Sequence, residues 1–242
     1  MARRPARKSA AKSARSSSSR RPARPAAPVS ERDKIVAAFL ALLVEKPFEE
    51  IGFADIAGRA GVSLTQLRGE FASTLAMLAA HIKATDRAVL AEDLSDMAEE
   101  SPRERLFDVL MRRLEALAPR REALRSLLRS ARRNPPLAVA LNGLAVRSQQ
   151  WMLTAAGINA SGPRGLLRAQ GLAMLFASVL RAWTHDDDPG HARTMAALDR
   201  ALARGQRFAG FVDDLCYIPS RLCRLRSRRR HRDEDSEEAA AA

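Results

Sequence analysis

Apolar side chains recur along most of this chain at the three- to four-residue spacing of helices that bury one face. Most of these segments open with a capping residue or a proline, as at Ser30, Ser101–Pro102, Asn134–Pro135 and Ser161–Pro163. Such residues satisfy or tolerate the free N–H groups of a first helical turn. No segment shows the alternation expected of a half-buried strand. The pattern predicts an all-α protein.

Residues 52–71 are the stretch around which the chain is organised, and they predict two short helices joined by a tight turn. Good helix formers fill 54–60, and Gly61 follows, where a left-handed residue is least costly. Ser63 can then cap a second helix. This spacing is that of a helix-turn-helix, whose second helix can enter the major groove of DNA. We expect its core to contain Ile56, Ala57, Gly61, Val62, Leu67 and Phe71, with Leu64 on the same stripe and Phe48, Ile51 and Phe53 beneath it.

The exposed positions of the second helix are the candidate contacts with DNA. Gln66 can pair with adenine through both amide atoms, and Arg68 can contact guanine or a phosphate. Glu70 would repel the DNA backbone unless it faces a cytosine amino group or Arg59. The alternative is a helix face that is only solvated. The residues predicted to bind DNA are Thr65, Gln66, Arg68, Gly69, Ser73 and Thr74.

Residues 31–80 resemble the amino-terminal domain of TetR-type transcriptional regulators. The resemblance is carried mainly by Asp55–Ala57, Ala60–Ser63, Leu67 and Phe71. Arg68 stands where the family usually has tyrosine, and Thr74 where it usually has lysine. The resemblance implies a TetR-like fold and a transcriptional regulator, with repression as the expected mode. It also implies double-stranded DNA as a partner and a homodimer formed through residues around 163–208.

The remaining helical segments predict a bundle that follows the head. A long helix begins at Ser73, where apolar residues recur over about 25 residues to Leu94. The TetR resemblance implies that this helix connects the head to the bundle. The same resemblance implies that residues 81–215 are the regulatory and dimerisation domain, after a DNA-binding domain at 30–80. Large side chains on three of the bundle helices can line an apolar pocket for a hydrophobic small-molecule or lipid effector, or can simply be core. This tentative set is Phe107, Met111, Trp151, Met152, Met174, Phe176 and Trp183.

The net charge of +13 is concentrated at the two ends of the chain. Residues 1–29 contain nine basic side chains and no acid, and we expect a disordered basic arm. Residues 216–242 form a tail that is first basic and then acidic. The 30–215 region holds only +2, so the tails would supply much of any attraction to a polyanion. No apolar run approaches the ~20 residues needed to span a bilayer, and the two cysteines are too few for a disulfide framework. We expect a cytoplasmic protein.

No catalytic set is evident, and we expect neither an enzyme nor a cofactor. His185, His191 and the acids between them could be drawn as a metal site. They are better interpreted as an acidic loop in which Asp188 caps the last helix. We therefore expect no metal.

A second resemblance leads to a different class of function. Residues 105–208 loosely resemble the TetR-fold lipid-binding proteins of ubiquinone biosynthesis, through Arg113, Leu117, Pro119 and the acidic loop. The amphipathic segment 209–225 matches the position at which those proteins meet membrane. This resemblance implies a lipid-binding accessory protein with a head that does not bind DNA.

Overall fold

A computed structural model of the chain describes residues 30–92, 97 and 99–206. These residues contain no strand, which confirms the all-α prediction for the described part of the chain. Two short 3₁₀ turns, Phe48–Glu50 and Ala118–Arg120, lie between helices. The α-helices are α1 (Glu31–Glu45), α2 (Phe53–Ala60), α3 (Leu64–Glu70), α4 (Thr74–Leu90), α5 (Pro102–Leu117), α6 (Arg121–Arg133), α7 (Pro135–Ala155), α8 (Gly162–Trp183) and α9 (192–206).

Hydrogen bonds at the capping residues confirm the predicted starts of α1, α5 and α7, whereas the Ser161 side chain makes no such bond at the start of α8. The Ser30 hydroxyl accepts from the Asp33 N–H at 3.1 Å. The Asn134 side chain accepts from the Leu137 N–H at 3.0 Å. At α5 the bond is reciprocal, because the Ser101 N–H also donates to the Glu104 carboxylate at 3.0 Å. These contacts satisfy N–H groups that have no partner inside the helix.

The connecting helix α4 is shorter than the apolar spacing predicts. It ends at Leu90 after 17 residues, so the predicted extension to Leu94 is wrong at its described end, and Leu94 itself lies outside the described residues. Glu92 lies two residues after Leu90, and an acid is unfavourable at the negative end of a helix dipole. The segment after Leu90 therefore has little to gain from continuing the helix.

Two hydrophobic clusters form the interior, and α4 belongs to both. Its first half places Met77 and Leu78 in the head cluster, whereas Val89 lies in the body cluster. The head cluster also takes Leu127 of α6 and Leu137 of α7. Helices of the body therefore cover the head, and the two predicted domains share a core across residue 80.

Not all of the apolar residues predicted to lie beneath the helix-turn-helix are buried there. Ile51 is buried, and Phe48 packs edge-on against Phe39 with ring centroids 6.2 Å apart. Phe53 leaves 46% of its surface exposed, so its predicted place in the core is wrong. It is the first residue of α2, where a side chain extends past the surface that the helix covers.

A buried charged network joins three helices inside the body. Asp86 of α4 accepts from the Arg113 guanidinium of α5 and, at 2.8 Å, from the Ser148 hydroxyl of α7. The Arg113 guanidinium also lies over the Phe176 ring, 5.5 Å from its centroid. Asp86 and Arg113 are each less than a tenth exposed, so neither charge can be left without the other.

No helix within the described ranges is long and apolar enough to cross a membrane.

Replacing Arg113 by Ala should lower the free energy of unfolding by about 3–5 kcal/mol, because it leaves the Asp86 carboxylate buried without its cation. Urea unfolding measures this. Removing Asp86 as well should cost less than the sum of the two single changes. Arg125→Ala is the control, since Arg125 meets Glu122 only at 3.9 Å on the surface and should change stability by less than about 1 kcal/mol. Equal effects of Arg113→Ala and Arg125→Ala would contradict the network.

Candidate nucleic-acid interface

The turn between α2 and α3 has the geometry that the sequence predicts. Gly61 ends α2 in the left-handed conformation, with φ 67° and ψ 34°. The Val62 N–H reaches back to the Ala57 carbonyl at 3.1 Å, which closes the helix end. Ser63 and Gln66 then form a reciprocal cap: the Ser63 hydroxyl accepts from the Gln66 N–H at 3.1 Å, and the Gln66 amide oxygen accepts from the Ser63 N–H at 2.8 Å. The two helices are thus fixed relative to each other over a few residues.

Most of the residues predicted for the core of this motif are withdrawn from solvent. Ile56, Ala57, Leu67 and Phe71 are buried, and Val62 is half-buried. Gly61 supplies backbone conformation only. Leu64 is 55% exposed, so its predicted place on the buried stripe is wrong. It is the first residue of α3 and lies beyond the surface that the helix packs on α2.

Most of the residues predicted to bind DNA form two neighbouring groups. Thr65, Arg68 and Gly69 are exposed on α3. Ser73 and Thr74 are half-buried at the start of α4, where the Ser73 hydroxyl accepts from the Ala76 N–H at 3.1 Å. That hydroxyl keeps a proton to donate. Arg68 has no hydrogen-bond or ion-pair partner among the described residues, so its guanidinium is available to a ligand outside the protein.

Gln66 lies on the same face, but its side chain is already engaged. Its amide oxygen belongs to the cap on Ser63. Its Nε2 donates to the Glu31 carboxylate of α1 at 3.3 Å. A bidentate contact with adenine uses both amide atoms, and would therefore require both of these hydrogen bonds to break. The adenine contact of Gln66 stays a prediction.

Most basic side chains of the head form ion pairs with its acidic side chains. Arg59 donates to both carboxylate oxygens of Glu45, at 2.8 and 2.6 Å, and holds the pKa of Glu45 below its ordinary value. Lys46 donates to Asp55 at 2.8 Å and lowers the pKa of that carboxyl. Arg59 is therefore committed to α1, and the idea that it faces Glu70 is wrong.

Glu70 instead pairs with Arg32, at the start of α1. The Arg32 guanidinium donates to the Glu70 backbone carbonyl at 2.9 Å and to its carboxylate at 3.3 Å. It also lies 4.2 Å from the centroid of the Phe71 ring. Arg32 thus holds the end of α3 on α1. Sequence reasoning missed this role, although an arginine in the first turn of a helix, where acids are favoured, indicates another purpose.

The folded head carries no excess of positive charge. Residues 30–80 contain five lysines and arginines and seven aspartates and glutamates, a net charge of −2. Three of the five cations are paired with acids. The remaining two are Lys34 and Arg68. Attraction of this head to DNA phosphates therefore depends on few side chains.

The structure separates the residues predicted for the effector pocket into two groups. Phe107, Met111, Met152, Phe176 and Trp183 pack together in the body core. Trp151 of α7 and Met174 of α8 are 59% and 64% exposed. They point away from that core, because each lies on the solvent side of its helix. These two do not share an interior cavity with the other five.

The acidic loop between α8 and α9 satisfies a helix start. The Asp188 carboxylate accepts from the Ala192 N–H at 3.1 Å, as expected for a cap. Asp186 accepts from the Thr194 hydroxyl and N–H at 2.7 and 2.9 Å, and these bonds lower its pKa. The carboxylates therefore serve the fold at this loop.

Similarity to known proteins is found at the level of the fold. No family model and no curated protein matches the chain. Among solved structures, a TetR transcriptional regulator from Nitrosomonas europaea ATCC 19718 is 21% identical with a TM-score of 0.56, and the match covers 73% of this chain and 98% of that one. A TetR transcriptional regulator from Rhodococcus sp. RHA1 is 22% identical with a TM-score of 0.50, covering 72% and 95%. This chain has the TetR fold. The TetR-like fold that the sequence resemblance implies is thereby confirmed.

Gly61→Ala should destabilise the head by about 1–2 kcal/mol, because a side chain is strained in the left-handed conformation. Gly58→Ala is the matched control three residues earlier, inside α2. A Cβ at Gly58 meets no atom within 4 Å, and alanine should there add up to about 1 kcal/mol of helix stability. Thermal unfolding of the two variants should shift in opposite directions. A shift in the same direction would contradict the turn geometry.

Proposed function

We propose that the protein is a transcriptional regulator, acting as a repressor, whose α3 enters the major groove of double-stranded DNA. The observation that carries this is the exposed face of a rigidly capped α3, with Arg68 unpaired within the described residues. In the TetR fold such a helix is placed at the surface of the head. Arg68 and Thr65 contact base edges or phosphates, and Gly69 allows the helix to approach the DNA backbone closely.

The regulator acts as a homodimer through α8 and α9. Leu167, Gly171, Met174 and Ser178 are exposed at positions i, i+4, i+7 and i+11, on one face of α8. Met195 of α9 is also 39% exposed. An exposed stripe that carries Leu167 and Met174 suits an interaction surface, and Gly171 at its centre allows a second helix to approach closely. Two heads then bind half-sites about one helical turn apart. The regulator acts in the cytoplasm and catalyses no reaction.

A hydrophobic effector with one polar group fits the body. Gln149 is 1% exposed, and its amide oxygen has no partner among the described residues. The Arg113 Nε is likewise buried and unpaired. A buried polar atom without a partner costs about 1–3 kcal/mol, and a ligand that hydrogen-bonds to it recovers that free energy. Binding next to Arg113 would act on Asp86, and through it on α4 and the head.

The basic arm supplies the attraction that the head lacks. Nine basic side chains in residues 1–29 compare with a head whose net charge is −2. Neutralising phosphates releases counterions, so each contact adds about 0.9 to the slope of log K against log salt concentration. The arm should therefore dominate this slope, while α3 should determine sequence preference.

A salt series on a duplex selected from a random pool tests the proposal. Arg68→Ala should reduce the slope by about one per head and relax the sequence preference. Deleting residues 1–29 should reduce the slope much more and leave the preference in place. Arg147→Ala, an exposed arginine on α7, is the control and should change neither.

Binding that is lost only with residues 1–29, with no preference for the selected duplex, would reject the role of α3. In that case the lipid-binding alternative gains, since the acidic head and the engaged Gln66 side chain favour it. Lipid extracted from the purified protein, followed by mass spectrometry, then becomes the deciding measurement.

Gly69→Ala separates the needs of the fold from those of DNA binding. A Cβ at this position meets no atom within 4 Å, so alanine should stabilise α3 by up to about 1 kcal/mol. We expect the melting temperature to rise while affinity for the selected duplex falls, because the added methyl group meets the DNA backbone. A variant that melts higher and binds equally well would show that DNA does not approach α3 at Gly69.

A further inference from the structure

A groove of about 380 Å³ lies between α1 and α4, and no residue of α3 lines it. One wall is α1 and the other is α4, and Arg120, from the turn before α6, closes one side. Its floor is apolar and consists mainly of Val36, Leu40 and Ala80. The volume falls within the range of small-molecule sites. This groove is not used by the proposed contacts with DNA or by the body core.

The rim of the groove is strongly basic. Arg32, Lys83, Arg87 and Arg120 line it, against the single acid Asp33. Lys83, Arg87 and Arg120 are exposed and have no hydrogen-bond or ion-pair partner within the described ranges. Like charges brought to one concave surface repel one another unless an anion lies between them. The surplus of three positive charges contrasts with the net charge of −2 on the head as a whole.

His81 adds a polar atom without a partner to the same groove. It lines the groove from α4, and its Nε2 is buried with no hydrogen-bond partner among the described residues. Burial, and then the charges of Arg120 and Arg113, lower the pKa of His81. Burial therefore favours the neutral ring, which can donate one hydrogen bond to a ligand in the tautomer that carries its proton on Nε2.

We propose that this groove binds a small amphiphilic anion, a carboxylate or phosphate monoester carried on a short apolar body. The anionic group lies among Lys83, Arg87 and Arg120, and the apolar part lies on the floor between α1 and α4. Charge-assisted hydrogen bonds to arginine and lysine give this recognition its strength. The apolar floor distinguishes such a ligand from inorganic phosphate.

The ligand also competes with Glu70 for Arg32. Arg32 lines the groove and at the same time donates to Glu70 at the end of α3. The side chains of this ion pair are 49% and 39% exposed, so the pair is weak enough to exchange. An anion in the groove draws the guanidinium toward α4. The site is thus connected to α3 through one side chain.

Isothermal titration of the full-length protein with hexyl phosphate and with hexanoate tests the site without DNA. Lys83→Gln, Arg87→Gln and Arg120→Gln should each weaken binding on the order of tenfold. Arg147→Gln, which removes an equal charge outside the groove, should leave it unchanged. Hexanol and inorganic phosphate, which each lack one half of the ligand, should bind much more weakly. Absence of binding, or equal loss in the Arg147 variant, overturns the proposal. All four positions are exposed, and melting curves verify that the variants are folded.

A further variant tests whether the ligand competes with Glu70 for Arg32. Glu70→Gln removes the competing carboxylate and should tighten hexyl phosphate binding a few-fold. Glu31→Gln removes an equal charge from the residue next to Arg32 in sequence. Because Glu31 accepts a hydrogen bond from Gln66 and not from Arg32, this variant should tighten hexyl phosphate binding less. Equal tightening in both variants would show a general charge effect and would overturn the competition.

Two other occupants give different results. If the acids at 233–238 fill the groove, hexyl phosphate binds only after residues 233–242 are deleted, which overturns the small-anion site. If the groove cations hold DNA, Lys83→Gln and Arg87→Gln weaken DNA binding as much as Arg68→Ala does. We expect no such effect, because Lys83 and Arg87 lie about 14 and 20 Å along α4 from Thr74. Since ligand binding is measured without DNA, it can succeed even where the proposed regulator fails.

Discussion

Burial of the apolar face of α1 is the constraint on which the arrangement of this molecule depends. Ile35, Phe39 and Leu43 are fully buried, and the cluster around them draws on α2 and α4 from the head and on α6 and α7 from the body. A well-packed core of this kind does not deform continuously. The head therefore cannot turn as a separate unit on a linker. Any change of its orientation must repack α1 against α6, or move α4, which takes part in both cores.

Within the head, electrostatics serve the fold before they serve a ligand. Arg59, Lys46 and Arg32 each hold two elements together by pairing with an acid on another segment. Exposed pairs contribute little stability singly, but together they use most of the positive charge that DNA would otherwise meet. If α3 binds DNA as we propose, Arg68 is left to contact it, and long-range attraction falls to the arginine-rich ends of the chain. In the proposed regulator, DNA affinity and sequence preference are thus carried by different parts of the sequence.

The sequence predicts the local structure of this protein well, and its side-chain environment less well. Caps and turns depend on neighbours in the chain, so Ser63, Gly61 and Ser101 could be identified directly. The direction of Leu64, Phe53, Trp151 and Met174 depends on where the neighbouring helices end, which apolar spacing does not encode. Pairs that are distant in sequence, such as Arg32 with Glu70 or Asp86 with Arg113, were not predictable, because their proximity depends on how the helices pack. The engaged side chain of Gln66 could have been anticipated, because a serine followed three residues later by glutamine is a capping pattern.

Arg32 sets a limit on what the groove between α1 and α4 can do to α3. A ligand shifts an equilibrium only by its differential affinity for the two states. Exchange of one exposed ion pair amounts to less than about 1 kcal/mol, which corresponds to roughly a fivefold change in an equilibrium constant. The Asp86–Arg113 pair is different, because breaking a buried pair involves several times that free energy. A groove ligand can therefore adjust the end of α3 by degrees, whereas an all-or-none change of the head requires the body core and α4.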